Sequence, residues 1–132
     1  MTCLETSALV KLIRRESESD ALADWLDTQT TTPWLTSTLA KIELPLALCC
    51  TNPQLLSLVQ PTIARLARYD IDEVVRAAAA AYPDPSLRAP DAIHFATAQA
   101  VFGNQLTSFV SYDERLPDAA TAIGLPAYSA GR

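Results

Sequence analysis

Four acidic residues stand where a side chain can act on a ligand: Glu5, Glu43, Asp91 and Asp113. Glu5 closes the short strand-like run Thr2-Cys3-Leu4-Glu5, and Asp113 follows residues 107–112, which read as a buried strand. Both therefore fall at carboxyl ends of strands, the edge at which open α/β sheets bind ligands. Asp91 follows Pro90, and proline at a first helical position is pre-set for helix, so a helix is predicted to begin at Pro90. At 100° per residue Asp91, Phe95, Ala98 and Phe102 share one face, which places Asp91 at the head of an inward stripe. The helix dipole favours an anion there. Glu43 falls among Leu39, Ile42, Leu46 and Cys50 on the helical wheel, inside an apolar stripe. A carboxylate turned inward must be paired, protonated or bound to a metal.

Taken singly, each acid also reads as an ordinary solvent-facing residue or half of an ion pair. The ordered set of four is more specific. Clustered carboxylates repel one another and take up protons unless a cation joins them. Oxygen ligands suit Mg²⁺ or Mn²⁺ rather than zinc. Two such ions can generate a hydroxide and stabilise the leaving oxygen of a phosphodiester. Thr6 and Ser7 directly follow Glu5, and either is a good cap for a helix over residues 8–14. His94, the single histidine, flanks the Asp91 stripe. It reads as a packing or hydrogen-bonding residue, because the acids account for the chemistry without it.

The elements that must position these acids alternate along the chain. After the first strand and helix, residues 20–27 form a helix with Leu22, Trp25 and Leu26 inward, and residues 33–36 a second strand. Residues 39–50 form the Glu43 helix, with Pro45 predicting a kink. A helix follows over 53–66, interrupted at Pro61, then a strand over 69–71. Asp72 caps a helix over 73–82. The Asp91 helix ends at Gly103-Asn104, the 107–112 strand follows, and a helix over 114–122 is closed by Gly124. A strand over 126–128 is the last element. This alternation predicts a parallel α/β sheet in a single domain spanning 1–132.

Composition sets outer bounds. A chain of 132 residues with 49% hydrophobic and 19% charged residues is globular. The start lacks a basic region followed by a long apolar run, and no apolar stretch is long enough to span a membrane, so a cytoplasmic protein is expected. Three cysteines without CxxC spacing argue against a disulfide framework or a zinc site, and they read as small buried hydrophobes. A formal charge of −5 gives no basic footprint for nucleic acid, although the four acids supply most of that balance. Lys11, Arg14 and Arg15 form a small basic cluster, either a solvated helix end or a set of phosphate contacts.

Leu4-Glu5-Thr6-Ser7-Ala8 resembles the opening motif of PIN-domain ribonucleases of the VapC toxin type, which reads Leu-Asp-Thr-Ser-Ala. Leu39-Ala40-Lys41-Ile42-Glu43-Leu44 is similar to their second motif, and residues 87–98, centred on Pro90-Asp91-Ala92, to their most recognisable block. Ser111-Tyr112-Asp113-Glu114-Arg115-Leu116 resembles the last. The four matches occur in family order. The resemblance implies a PIN-like three-layer α/β/α domain with a central parallel sheet of about five short strands. It also implies a Mg²⁺-dependent endoribonuclease, the toxin half of a type II toxin–antitoxin pair, acting on RNA, dimerising with itself and silenced by a cognate antitoxin. Carried over by position, Glu5, Glu43, Asp91 and Asp113 are the catalytic acids. Glu5, Asp91 and Asp113 would ligate the metal, and Thr6 and Ser7 would support Glu5.

The departure is Glu5, where the family carries Asp. One added methylene moves a carboxylate by about 1 Å, and misplacements of that size can cost roughly a hundredfold in rate. The alternative is therefore a catalytically weakened PIN protein that still binds antitoxin or RNA. An aspartyl-phosphate enzyme is disfavoured: Glu5-Thr6-Ser7 supplies no Asp nucleophile, and no Lys follows Asp113.

Overall fold

A computed structural model describes residues 1–132. Five short strands, β1 (Thr2–Leu4), β2 (Trp34–Ser37), β3 (Ala67–Tyr69), β4 (Ser108–Val110) and β5 (Ala127–Tyr128), form one sheet in the order β3-β2-β1-β4-β5. Every neighbouring pair is parallel. Seven α-helices connect them: α1 (Thr6–Ile13), α2 (Ser19–Asp27), α3 (Ala40–Cys49), α4 (Val59–Ala64), α5 (Glu73–Ala80), α6 (Ala89–Ala96) and α7 (Leu116–Ala122).

Side chains of a strand alternate between faces, and here that period divides the core in two. Leu4 and Val110 point to one side, where they pack with Ala8 and Leu9 of α1, Leu22 of α2 and Leu44 of α3. Their neighbours Cys3 and Phe109 point to the other, against Phe95 of α6 and Leu116 of α7. Phe95 meets Phe109 edge-on with ring centroids 5.3 Å apart, a geometry that adds about 0.5–1.5 kcal/mol to area burial. Helices therefore cover both faces, giving the three-layer α/β/α arrangement expected.

The chain leaves β1 toward β2 and β3 on one side, then returns to lay β4 on the other. Between β1 and β4 the strand order reverses, and the crevice at the carboxyl ends of such a pair is where open α/β sheets bind ligands. Leu4 pairs with Val110 in register, so the residues following both strands emerge side by side.

Several elements differ from the sequence expectation for local reasons. The cap of α1 is neither Thr6 nor Ser7 but Glu5, whose carboxylate accepts from the Ser7 N–H. Strand β4 stops at Val110, because beyond it the Tyr112 and Asp113 N–H groups bond to the Ser7 and Ser111 hydroxyls. The 53–66 stretch opens as a 3₁₀ turn over Pro53–Leu58, and Pro61 falls in the first turn of α4, where a missing donor breaks no ladder. Strand β3 lies two residues earlier than expected, at Ala67–Tyr69. The α6 helix widens into a π turn over Thr97–Phe102 and ends at Gly103, whose φ of 46° is open to glycine.

The buried face of α3 is Ala40, Leu44 and Leu48, not the stripe containing Leu39, Ile42 and Glu43. Ile42 and Leu46 are 60% and 67% exposed. The helix is apolar on nearly every side, so its sequence offered two candidate faces and only packing chose between them. Of the cysteines, Cys3 alone is buried, while Cys49 and Cys50 are exposed at the end of α3. No helix is long and apolar enough to cross a membrane.

Candidate active site

Helix α1 begins directly after β1, so Glu5 is at once the last residue of the strand edge and the cap of the helix. Its Oε2 accepts from the Ser7 N–H at 3.1 Å, from the Ser7 hydroxyl, and from the Ser111 hydroxyl at 3.0 Å. Ser111 follows β4, and its Oγ also accepts from the Asp113 N–H at 3.2 Å. One serine thus ties the ends of the two central strands together.

Asp113 in turn holds Arg115. The Arg115 N–H and Nε donate to Oδ1 at 3.0 and 3.1 Å, and Nη2 donates to Oδ2. The same guanidinium reaches across to Asp91, with Nη1 3.5 Å from Oδ2. Asp91 is 7% exposed and heads α6 as expected, where its carboxylate reaches back to accept from the Arg88 N–H at 3.3 Å. Burial pushes the Asp113 carboxyl up, but the Arg115 bonds outweigh it and hold the group below the usual carboxylate range.

One turn along α6, His94 is 1% exposed and closes the circuit. Its Nε2 lies 2.6 Å from Oε1 of Glu43, and the Thr6 hydroxyl donates to that oxygen at 2.7 Å. A carboxylate oxygen can only accept, so the proton of the contact is on Nε2. Burial pushes the Glu43 carboxyl up, but the bonds from His94 and Thr6 prevail and hold it below its ordinary value. Thr6 is the residue after Glu5. The contacts therefore form a closed ring: Glu5, Ser111, Asp113, Arg115, Asp91, then through α6 to His94, Glu43 and Thr6, and back to Glu5.

Glu5, Thr6, Ser7 and Glu43 line a cleft of about 590 Å³ whose lining includes Lys11 and Arg14 but neither Asp91 nor Asp113. Lys11 donates to Glu18 at 2.7 Å, which lowers the Glu18 carboxyl to about 2, and Arg14 lies 3.7 Å from Glu16. Arg15 pairs with Asp20 on the surface, away from the cleft. The basic cluster is thus partly a set of structural ion pairs.

The four acids share an edge and a ring of contacts but not one coordination sphere: no three carboxylate, imidazole or thiol groups are gathered tightly enough to hold a metal together. The reason lies in the ring itself. Arg115 stands between Asp91 and Asp113, and Glu43 is turned to His94. The donor set nonetheless fits a hard divalent cation. It is all oxygen, Glu5 and Asp91 are buried, and positive charge is already drawn between Asp91 and Asp113. Ser111 and Arg115 were missed as site residues. Their only sequence signal is spacing, two residues before and two after Asp113; the 106-residue separation of Ser111 from Glu5 hides their contact.

A parallel sheet in the order β3-β2-β1-β4-β5, with acids gathered at its carboxyl edge, defines a PIN-like α/β fold. The family model for the PIN domain matches residues 2–122. The chain is 53% identical to ribonuclease VapC35 of Mycobacterium tuberculosis over 133 residues, covering 100% of this chain and 98% of the relative. It is 38% identical to ribonuclease VapC46 of the same organism, covering 92% of each. Among solved structures, FitAcB from Neisseria gonorrhoeae superposes with a TM-score of 0.71 at 20% identity, covering 97% of this chain and 96% of that one. VapBC2 from Rickettsia felis, bound to a promoter DNA fragment, gives 0.72 at 14% identity and 98% of each. The chain belongs to the PIN-domain family, among its VapC members.

Proposed function

We propose that this chain is a Mg²⁺-dependent endoribonuclease, the toxin of a toxin–antitoxin pair, with Glu5, Glu43, Asp91 and Asp113 as its catalytic acids. The observation that carries this reading is the closed ring of contacts, which brings all four acids to the β1–β4 edge of a VapC-type PIN fold. Glu5, Asp91 and Asp113 would hold the cation, with Mn²⁺ as a substitute. When bound, such a cation supplies an activated water and charge stabilisation at a phosphodiester.

The chain's own residues prepare the rest. Ser7 and Ser111 hold the Glu5 carboxylate in one orientation through a single oxygen, Oε2, which leaves Oε1 to face a ligand. His94 and Thr6 keep Glu43 ionised at the cleft wall, where its negative charge can orient a water or a cation. Lys11 and Arg14 line the same cleft and offer cations to phosphates there. Single-stranded RNA suits the open cleft, since its backbone is accessible and its bases can splay out.

A cognate antitoxin and a second copy of the chain are the protein partners we propose, in the cytoplasm, where free cysteines stay reduced. The exposed Ile42 and Leu46 beside Glu43 support a protein covering that face. Cleavage of a labelled single-stranded RNA, with Mg²⁺ and with chelator, tests the activity. Products that form equally in chelator would refute the metal-dependent reading. No cleavage of any RNA while antitoxin binding persists would favour the weakened-enzyme alternative.

A further inference from the structure

We infer that Arg115 is the internal counter-ion of the acidic site, bridging Asp91 and Asp113 and competing with a divalent cation for their oxygens. This rests on the metal-site reading above and concerns which of the chain's own groups competes with the metal there.

Three observations support it. First, the guanidinium engages both oxygens of Asp113, through Nε on Oδ1 and Nη2 on Oδ2, and turns its remaining nitrogen, Nη1, to Asp91 Oδ2 at 3.5 Å. The planar fork of arginine matches a carboxylate in this way, and a lysine cannot reproduce it. Second, Asp91 is nearly buried, and its side-chain ion partners are the guanidinium of Arg115 and, at 3.8 Å, the much more exposed Arg88. Two carboxylates drawn to one edge repel unless positive charge joins them, and Arg115 is the group that touches both. Third, Arg115 is free to leave. Its side chain is 46% exposed, and it caps α7 with an ordinary helical backbone (φ −79°, ψ −19°), so the side chain can swing out without unpacking the core.

A hard cation would seek the oxygens the guanidinium now occupies. Binding then requires exchange of one positive partner for another, and the guanidinium resists it. The broken contacts are charge-assisted but partly solvated, which sets the expected effect of removing Arg115 at roughly a three- to tenfold tightening of divalent-ion affinity. A structural role would act in the opposite direction, because a loosened loop would hold Asp113 less well and weaken binding.

The test is a Mn²⁺ titration of the RNA-free protein, following the paramagnetic resonance signal of free Mn²⁺, for the wild type, Arg115→Gln, Arg115→Lys and Asp91→Asn. The expected order of affinity is Arg115→Gln tightest, Arg115→Lys between it and the wild type, and Asp91→Asn weakest. Arg115→Gln binding equal to or weaker than wild type, while Asp91→Asn still loses the ion, would overturn the inference and leave the metal site standing. Mn²⁺ binding by none of the four would overturn both. A thermal melt of each variant checks folding; should Arg115→Gln not fold, Arg115→Lys against wild type decides in the same direction.

Discussion

Replacing Asp91 by Asn separates the charge of this side chain from its shape. The amide keeps the volume and still offers an oxygen to the Arg88 N–H, now bonded at 3.3 Å, so that contact at the head of α6 survives. What goes is the charge. Its interaction with the dipole of α6 is worth about 0.3–1 kcal/mol. Its pairs with Arg115 at 3.5 Å and Arg88 at 3.8 Å involve partners that are 46% and 68% exposed, and such pairs contribute about 0–1 kcal/mol. Against these losses, a neutral amide is easier to bury than a carboxylate at the 7% exposure of this site. The net destabilisation is therefore about 1 kcal/mol or less, a fall in Tm of up to about 4 °C for a chain of this size. Function should respond very differently. If Asp91 holds the cation, cleavage of a labelled single-stranded RNA should fall by at least about a hundredfold, as when a preorganised electrostatic group is removed from an active site. The Mg²⁺-induced rise in Tm should disappear with it, since that rise depends on binding to the folded form alone. An Asp91→Asn protein that cleaves RNA at the wild-type rate and still gains Tm from Mg²⁺ would place the active site elsewhere.

Glu5→Asp should raise cleavage, by up to about a hundredfold: the shorter side chain is the better helix cap and withdraws from Ser111, releasing an oxygen that three protein donors now share. A rate at or below that of the starting protein would count against this. Glu43 is held ionised, with its carboxyl below the ordinary value, so its contribution to stability is full above the unfolded value near 4.3 and is lost as pH falls through the lower folded value. Urea melts between pH 5 and about 3 should show this loss, and Glu43→Gln should flatten it; an unchanged slope would remove the His94–Thr6–Glu43 unit from the account. At the other extreme, burial pushes Tyr82 and Tyr112 up to about 12, so their stabilising effect is full below the unfolded value near 10 and declines as pH rises toward 12. Phenolate absorbance at 295 nm should report three tyrosines ionising late, Tyr69 among them because its hydroxyl donates to Asp72, and a single ordinary titration of all four would contradict this.

Sequence by itself determined the alternation of strands and helices, and with it the parallel sheet. Those signals are local: the runs at Thr2–Leu4 and Ser108–Val110, the Asp72 cap, and Pro90 before Asp91 each act within a few residues. It also placed Asp91 correctly on a buried side of its helix, in the stripe it shares with the fully buried Phe95 and Ala98. Where a helix is apolar all round, as α3 is, the periodicity had no unique solution, and the choice of Ala40, Leu44 and Leu48 over the Ile42–Leu46 side was made by packing against α1 and α4. The resemblance of the four motifs named the acids, but not what holds them. That Glu5 caps its own helix, that Ser111 spans the switch between β1 and β4, that His94 reaches Glu43 from another helix and that Arg115 stands between two acids are all contacts across the sheet edge. Residues up to 106 positions apart meet there only because β1 and β4 lie side by side, and no periodicity in the chain encodes that adjacency.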